Sequence, residues 1–228
     1  MELFESHFNN LPGNLYYDEI TNTYEMFKGI GKSNHLNYLT FKKLFENIVN
    51  IKEPIILESG ISCYGTHSTH LFNEYIRKYG GRFWSVDIRP ELVESVRGNM
   101  CPGTQLVCDD SVKFFNNWVQ ISKDYNITPD VIYLDSFDLD YYNYIPSAEH
   151  GLKEYKALTS TFRKNTLLLI DDTPSTPYWL DTRDTLYDDM SAFYAINNFL
   201  PGKGMLVLNE PKKADLLLHN YQLLYKFL

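Results

Sequence analysis

Short apolar runs alternate with amphipathic stretches from residue 54 onward, and this alternation limits the folds open to the chain more than any other feature. Five such runs occupy residues 54–57, 82–86, 104–108, 131–134 and 166–170. Segments with helical spacing follow them, at 67–79, from residue 90, at 112–123 and at 148–162. Strands that alternate with helices in this way predict a parallel sheet with right-handed crossovers and helices on both faces.

The C-terminal tail has a different pattern. Short strand candidates lie close together at residues 205–208, 216–218 and 223–227. A few polar residues separate the last two, which suits a hairpin. The expected fold class is therefore α/β, with a mostly parallel seven-stranded sheet, helices on both faces and an antiparallel C-terminal hairpin.

The first 50 residues lack this alternation and are expected to be helical. The segment from Leu36 to Val49 has apolar residues at helical spacing, and Gly29, Gly31 and Asn34 mark a break before it. We therefore expect residues 1–50 to form an N-terminal helical cap near the mouth of a single structural unit, residues 51–228.

Composition narrows the class of protein. Hydrophobic residues make up 44% of the 228 residues, enough for a sizeable core, and the net charge of −8 argues against nucleic-acid and anionic membrane partners. No apolar run is long enough to span a membrane, and the N-terminus does not resemble a secretory signal.

The three cysteines, at positions 63, 101 and 108, lack metal-type spacing, which favours free thiols and a cytoplasmic protein. The oligomeric state stays open, a homodimer included.

An acidic residue follows each of the five apolar runs. These residues are Glu58, Asp87, the pair Asp109-Asp110, Asp135 and the pair Asp171-Asp172. A single acid after a strand is usually a turn or a helix cap. Because ligands of open α/β sheets bind beyond the carboxyl ends of the strands, five in succession indicate a ligand site there. Their mutual repulsion requires ligand hydroxyls, amines or a cation to offset it.

The segment after the first run has the features of a ligand-binding loop. Gly60 would allow a sharp turn, Gly65 would allow close approach of a ligand, and Thr66 and Ser68 would cap the following helix. Asp87, after the second run, stands where a carboxylate accepts hydrogen bonds from a ribose diol. The glycine spacing does not fit the dinucleotide fingerprint, which disfavours a dehydrogenase.

The stretch ILESGISCYGTHST, residues 56–69, resembles the first motif of class I S-adenosylmethionine-dependent methyltransferases. Val86-Asp87 resembles their second motif, and Asp109-Asp110-Ser111 their third. The resemblance implies a Rossmann-like fold, with the methionine of the cofactor near the first motif, ribose on the second and adenine near the third. The cofactor-binding residues it implies are Glu58, Gly60, Gly65, Thr66, Ser68, Asp87, Ile88, Asp110, Ser111 and Asp135.

A narrower resemblance concerns metal. VIYLDS at 131–136 and LLIDDT at 168–173 look like the metal sites of catechol-type and macrocin-type O-methyltransferases. It implies that Asp135, Asp171 and Asp172 bind a divalent cation, Mg2+ first among them, which prefers oxygen ligands. The cation would lower the pKa of the acceptor hydroxyl. The competing interpretation of Asp171-Asp172 is a helix start.

Two residues are candidates for the general base. Catechol-type enzymes carry a lysine where this chain has Asp138, which either accepts the proton or anchors its loop. His150, in a predicted helix that leaves the same edge, is a second catalytic candidate, although such histidines are more often surface residues. Tyr141, Tyr142 and Tyr144 either line the acceptor pocket or pack at the surface.

The sequence thus predicts an S-adenosylmethionine-dependent methyltransferase that performs metal-assisted O-methylation of a small hydroxylated acceptor, a sugar or a phenolic. Two alternatives stay open. One is a metal-independent N-methyltransferase or a related aminopropyl-transferring enzyme. The other is a non-catalytic binding module on the same fold. The acceptor itself depends on residues 1–50, 138–146 and 174–189, which carry no decodable motif.

Overall fold

The computed structural model describes residues 1–11, 15–18, 23–26, 35–61, 65–180 and 185–228. The strands in chain order are β1 (Leu15–Asp18), β2 (Thr23–Met26), β3 (Ile55–Ser59), β4 (Arg82–Asp87), β5 (Thr104–Cys108), β6 (Val131–Leu134), β7 (Leu167–Ile170), β8 (Ala214–His219) and β9 (Leu223–Phe227). The α-helices are α1 (Glu2–Asn9), α2 (Tyr38–Ile48), α3 (Ser68–Tyr79), α4 (Pro90–Arg97), α5 (Ser111–Tyr125), α6 (Ile145–Leu158), α7 (Thr185–Asn197) and α8 (Met205–Leu208).

Seven strands form one sheet in the order β5-β4-β3-β6-β7-β9-β8. The first five of these pair in parallel, and β9 runs antiparallel to both of its neighbours. The predicted fold class is therefore confirmed, including the C-terminal hairpin. All residues of β6 and β7 are buried, as expected for central strands covered on both faces.

Two apolar cores lie on opposite faces of this sheet because successive strand residues alternate between the faces. On one face, Phe72 of α3 packs with Phe83 and Tyr133 of the strands. On the other face, Trp118 of α5 packs with Trp84 and other strand residues. Because β3, β4, β5, β6 and β7 are parallel neighbours, the residues that follow their carboxyl ends lie along one continuous edge of the sheet.

The N-terminal segment packs on the first of these faces. Phe4 and Phe8 of α1 are fully buried in the same core as Phe41 of α2 and Tyr133 of β6. The expectation of a helical segment is incomplete, because β1 and β2 form an antiparallel hairpin between the two helices. The break predicted at Gly29, Gly31 and Asn34 lies outside the described residues.

One predicted strand is wrong. Residues 205–208 form the short helix α8, which begins after Gly204 and packs against α6. Its Val207 is fully buried in the second core. A run of four apolar residues fits a buried helical turn as well as a buried strand, and here the tertiary packing decides.

Two further expectations concern the chain as a whole. Within the described ranges, no helix combines the length and the apolar character needed to cross a bilayer. Cys101 and Cys108 are free thiols, and Cys63 lies outside the described residues.

Candidate functional site

The loop after β3 is held tightly against the end of β6. Gly60 has φ +83°, and its N–H donates to the carbonyl of Val86 at 2.8 Å. A Cβ atom at this position would come within 2.7 Å of the carbonyl carbon of Asp135. Both the positive φ and the close approach require glycine, so the sharp turn predicted for Gly60 is confirmed.

Glu58, at the end of β3, is an internal anchor. Its buried carboxylate accepts hydrogen bonds from Ser68 Oγ at 2.6 Å, Thr69 Oγ1 at 2.7 Å and Ser85 Oγ at 2.6 Å. Burial raises the pKa of Glu58 to about 7, although the three hydroxyl donors oppose the shift. Glu58 and Ser68, both predicted to bind the cofactor, thus take part in hydrogen bonds that link α3 to β3 and β4.

The predicted capping of α3 by Thr66 and Ser68 is wrong. The helix begins after His67, which makes no side-chain capping bond. The Thr66 hydroxyl accepts a hydrogen bond from Asn37 Nδ2 at 2.6 Å, and its carbonyl accepts one from His7 Nε2 at 2.7 Å. Thr66 therefore joins the loop after β3 to the two N-terminal helices.

Asp87, at the end of β4, faces the Gly60 loop. Its Oδ2 accepts the backbone N–H of Ile61 at 2.9 Å. Arg89 also holds this carboxylate, with Nε 2.9 Å from Oδ1 and Nη2 2.9 Å from Oδ2. Burial acts to raise the pKa of Asp87, but the bonds from Arg89 and Ile61 outweigh it and lower the pKa. The carboxylate predicted to bind ribose thus lies beside the Gly60 loop and is paired with a half-exposed guanidinium.

A first cavity of about 500 Å³ opens beyond β4, β5 and β6. It brings together the predicted cofactor residues Asp87, Ile88, Asp110, Ser111 and Asp135. Asp110 also caps α5, because its side chain accepts the N–H of Lys113 at 2.8 Å. Ile88 and Phe137 line the cavity and are both more than half exposed, so they can cover a flat ligand.

His150 lies in this first cavity. Its Nε2 is 3.0 Å from Ser111 Oγ and 3.5 Å from Glu154 Oε1, and its ring lies 5.3 Å from that of Phe137. Ser136 Oγ donates to the same Glu154 oxygen at 2.6 Å. His150 therefore stands beside the residues predicted for adenine. It lines the first cavity and not the second, so its predicted catalytic role stays a prediction.

A second cavity of about 460 Å³ adjoins the first along the sheet edge. The two share Arg89, Asp135 and Asp138. The second is further lined by Gly60, Gly65, Asp172 and Lys203, among others. Asp138, the other catalytic candidate, is exposed on the loop after β6 and lines both cavities.

The three predicted metal ligands, at the ends of β6 and β7, come together around a lysine. Lys203 Nζ lies 2.8 Å from Asp135 Oδ1 and 2.9 Å from Asp172 Oδ2, with only 4% of its side chain exposed. Asp171 accepts hydrogen bonds from Tyr133 Oη at 2.6 Å and Gln222 Nε2 at 2.8 Å. Asp172 also accepts one from Tyr221 Oη at 2.6 Å.

A divalent metal does not fit this arrangement. The oxygens that would bind it are held by the Lys203 ammonium or by neutral donors. Burial opposes the charge on Lys203, but Asp135, Asp172 and Asp171 raise its pKa well above the ordinary value. Across the part of the chain that the structure describes, no group of three or more His, Cys, Asp or Glu side chains is arranged to hold a metal.

Arg89 and Lys203 line the cavities but were not predicted from the sequence. Arg89 follows Asp87 by two residues, so a local side-chain pair was open to prediction. Lys203 stands between two glycines, a sign of close backbone packing, but nothing in the sequence connects it to β6 or β7.

No protein-family model and no curated protein matches the chain. Among solved structures, it resembles the MycE methyltransferase of the mycinamycin biosynthetic pathway in complex with Mg and SAH, with a TM-score of 0.50 and 15% identity over 83% of this chain. It also resembles the complex of MycE with Mg, SAH and mycinamycin VI, with a TM-score of 0.50 and 16% identity over 83% of this chain. The chain spans 49% of the length of MycE in both. At this identity the likeness concerns architecture, and the chain has the Rossmann-like fold of S-adenosylmethionine-dependent methyltransferases.

Proposed function

We propose that this protein is an S-adenosylmethionine-dependent methyltransferase that methylates a hydroxyl group of a small acceptor, such as a sugar or a phenolic. The observation that carries the proposal is the pair of adjoining cavities at the carboxyl edge of a methyltransferase-type sheet. The first suits a nucleoside, and the second suits a polar acceptor. Asp135 and Asp138 line both, so two bound molecules would meet there.

The first cavity supports nucleoside binding through its chemistry. Asp87 is buried, ionised and bonded to the Gly60 loop, as a ribose-binding carboxylate needs to be. When a ribose diol binds, Arg89 would give up part of its contact with Asp87. Breaking this contact costs about 1 kcal/mol or less of binding free energy, because the guanidinium is half-exposed. Ile88 and Phe137 offer apolar surface to a base, and Ser111 offers a hydroxyl.

The second cavity supports a hydroxylated acceptor. Asp135, Asp138 and Asp172 offer hydrogen-bond acceptors, and Arg89 and Lys203 offer donors. Bound S-adenosylmethionine would supply an electrophilic methyl group at the boundary of the two cavities. Asp138 would take the proton of the acceptor hydroxyl, because it is exposed there. Much of the rate would come from holding the two molecules in line.

An amine is the second candidate acceptor. Four carboxylates line the second cavity, namely Glu91, Asp135, Asp138 and Asp172. They outnumber the two basic side chains, Arg89 and Lys203, and so favour a cationic ligand. N-methyl transfer or aminopropyl transfer to such a ligand would use the same cofactor site.

The test is methyl transfer from S-adenosylmethionine that carries a labelled methyl group, with sugars, phenols and amines as acceptors. Labelled sugar or phenol ethers would support the proposal, and label on amines alone would favour the second candidate. Cofactor binding without any transfer would favour a binding module. Asp138→Asn should lower kcat by roughly 100-fold or more. Asp140→Asn, two residues along the same loop and outside both cavity linings, should not.

A further inference from the structure

The Lys203 backbone is fixed behind the ends of β6 and β7. Its N–H donates to the carbonyl of Asp172 at 3.0 Å. A Cβ atom at Gly202 would lie 2.8 Å from that same carbonyl oxygen, and one at Gly151 of α6 would lie 2.5 Å from the carbonyl oxygen of Lys203. Glycine at both positions thus permits the close backbone approach that places Lys203 at the ends of β6 and β7.

The Lys203 side chain bridges two strand ends. Two N–H groups of its ammonium reach Asp135 Oδ1 at 2.8 Å and Asp172 Oδ2 at 2.9 Å. The third contact of the ammonium, to the backbone carbonyl of Asp135, is long at 3.4 Å. Because Lys203 also lines the second cavity, a ligand oxygen there would replace this long contact and accept the third N–H.

We propose that the Lys203 ammonium takes the place of a divalent cation, so that the second cavity binds its acceptor without a metal. The ammonium neutralises Asp135 and Asp172 as an ion would, and donates its third N–H to the acceptor oxygen. The ammonium stabilises the site, because without it the charged carboxylates of Asp135 and Asp172 would lie close together with little water to screen them. The acceptor part of this inference rests on the proposed function, and the cation-replacement part does not.

Manganese binding tests the replacement directly, because free Mn2+ gives an EPR signal that is lost when the ion binds. The wild-type protein should leave the signal of equimolar Mn2+ unchanged. Lys203→Ala should bind one Mn2+ at least tenfold more tightly than wild type, since it leaves Asp135, Asp171 and Asp172 without the ammonium. Lys153→Ala, an exposed lysine on α6, is the matched control and should behave as wild type.

Stoichiometric binding of Mn2+ to the wild-type protein, abolished by Asp172→Asn, would overturn the inference. That result is decisive even if Lys203→Ala does not fold. Equal Mn2+ binding by wild type and Lys203→Ala would also overturn it. Neither readout depends on methyl transfer, so a failed methylation assay leaves them interpretable.

With an active protein, EDTA should change the rate of methyl transfer by less than twofold. Lys203→Met should raise KM for the acceptor more than Lys203→Arg does.

Discussion

Replacing Gly60 with alanine tests the packing of the loop after β3 against the end of β6, on which both cavities depend. The new methyl group would meet the carbonyl of Asp135, with its carbon 2.7 Å away. Backbone atoms cannot swing aside as a flexible side chain can. The Gly60 loop or the end of β6 must therefore shift.

The cost has two parts. Holding a residue with a Cβ atom at φ +83° costs roughly 1–2 kcal/mol. Forcing a methyl group into a closed space costs roughly 1–3 kcal/mol more. Gly60→Ala should therefore lower the free energy of unfolding by about 2–5 kcal/mol.

Two other glycines separate these contributions. Gly65 has φ +59°, and no atom of the described residues lies within 4 Å of the position that its Cβ would take, so Gly65→Ala should cost only the backbone part, roughly 1–2 kcal/mol. Gly98 has φ −64° and open space, so Gly98→Ala should be neutral or stabilise by about 0.4–1 kcal/mol. Urea denaturation followed by circular dichroism gives the three values. Equal destabilisation by Gly60→Ala and Gly65→Ala would refute the close approach to Asp135.

Two further predictions concern the carboxylates of β3 and β4. Because the folded pKa of Glu58 is about 7 against an ordinary 4.5, the folded state binds a proton that the unfolded state has lost between these values. Through Glu58, the free energy of unfolding should thus fall by about 2 kcal/mol from pH 5 to pH 7. Glu58→Gln should remove this part of the pH dependence when the free energy is measured by urea denaturation. The same pH dependence in the variant would contradict a buried Glu58 carboxylate. Arg89→Ala frees Asp87 and should tighten S-adenosylhomocysteine binding up to about fivefold in calorimetry, since water screens the half-exposed Arg89 side chain and limits its contact with Asp87 to about 1 kcal/mol or less. Weaker binding would mean that Arg89 holds the ligand instead.

The strands of the sheet could be predicted because each is a short, continuous apolar run between polar segments. The bounds predicted at 104–108 and 131–134 agree with those of β5 and β6. The hairpin of β1 and β2 could not be predicted in the same way, since LYYD and TYEM are only four residues long and an acidic residue interrupts or ends each apolar run. The helix at 205–208 was missed because four apolar residues carry no period that separates helix from strand.

Part of the candidate site, like part of the fold, could be predicted from the sequence. That Asp87, Asp135 and Asp171 meet at one edge follows from the topology, because the carboxyl ends of parallel strands lie together. Their partners do not follow, since Lys203 is 68 residues from Asp135 and Gln222 is 51 from Asp171. The hypothesis that ligands alone offset the acidic row is therefore wrong in part.

The proposed function requires that the cavity beyond β4 and β5 binds the nucleoside of S-adenosylmethionine. Isothermal titration with S-adenosylhomocysteine measures this binding. We expect one molecule bound per chain, with the affinity lowered at least tenfold, about 1.4 kcal/mol, by Asp87→Asn. No heat of binding to the wild-type protein, or the same affinity in the variant, would contradict the account.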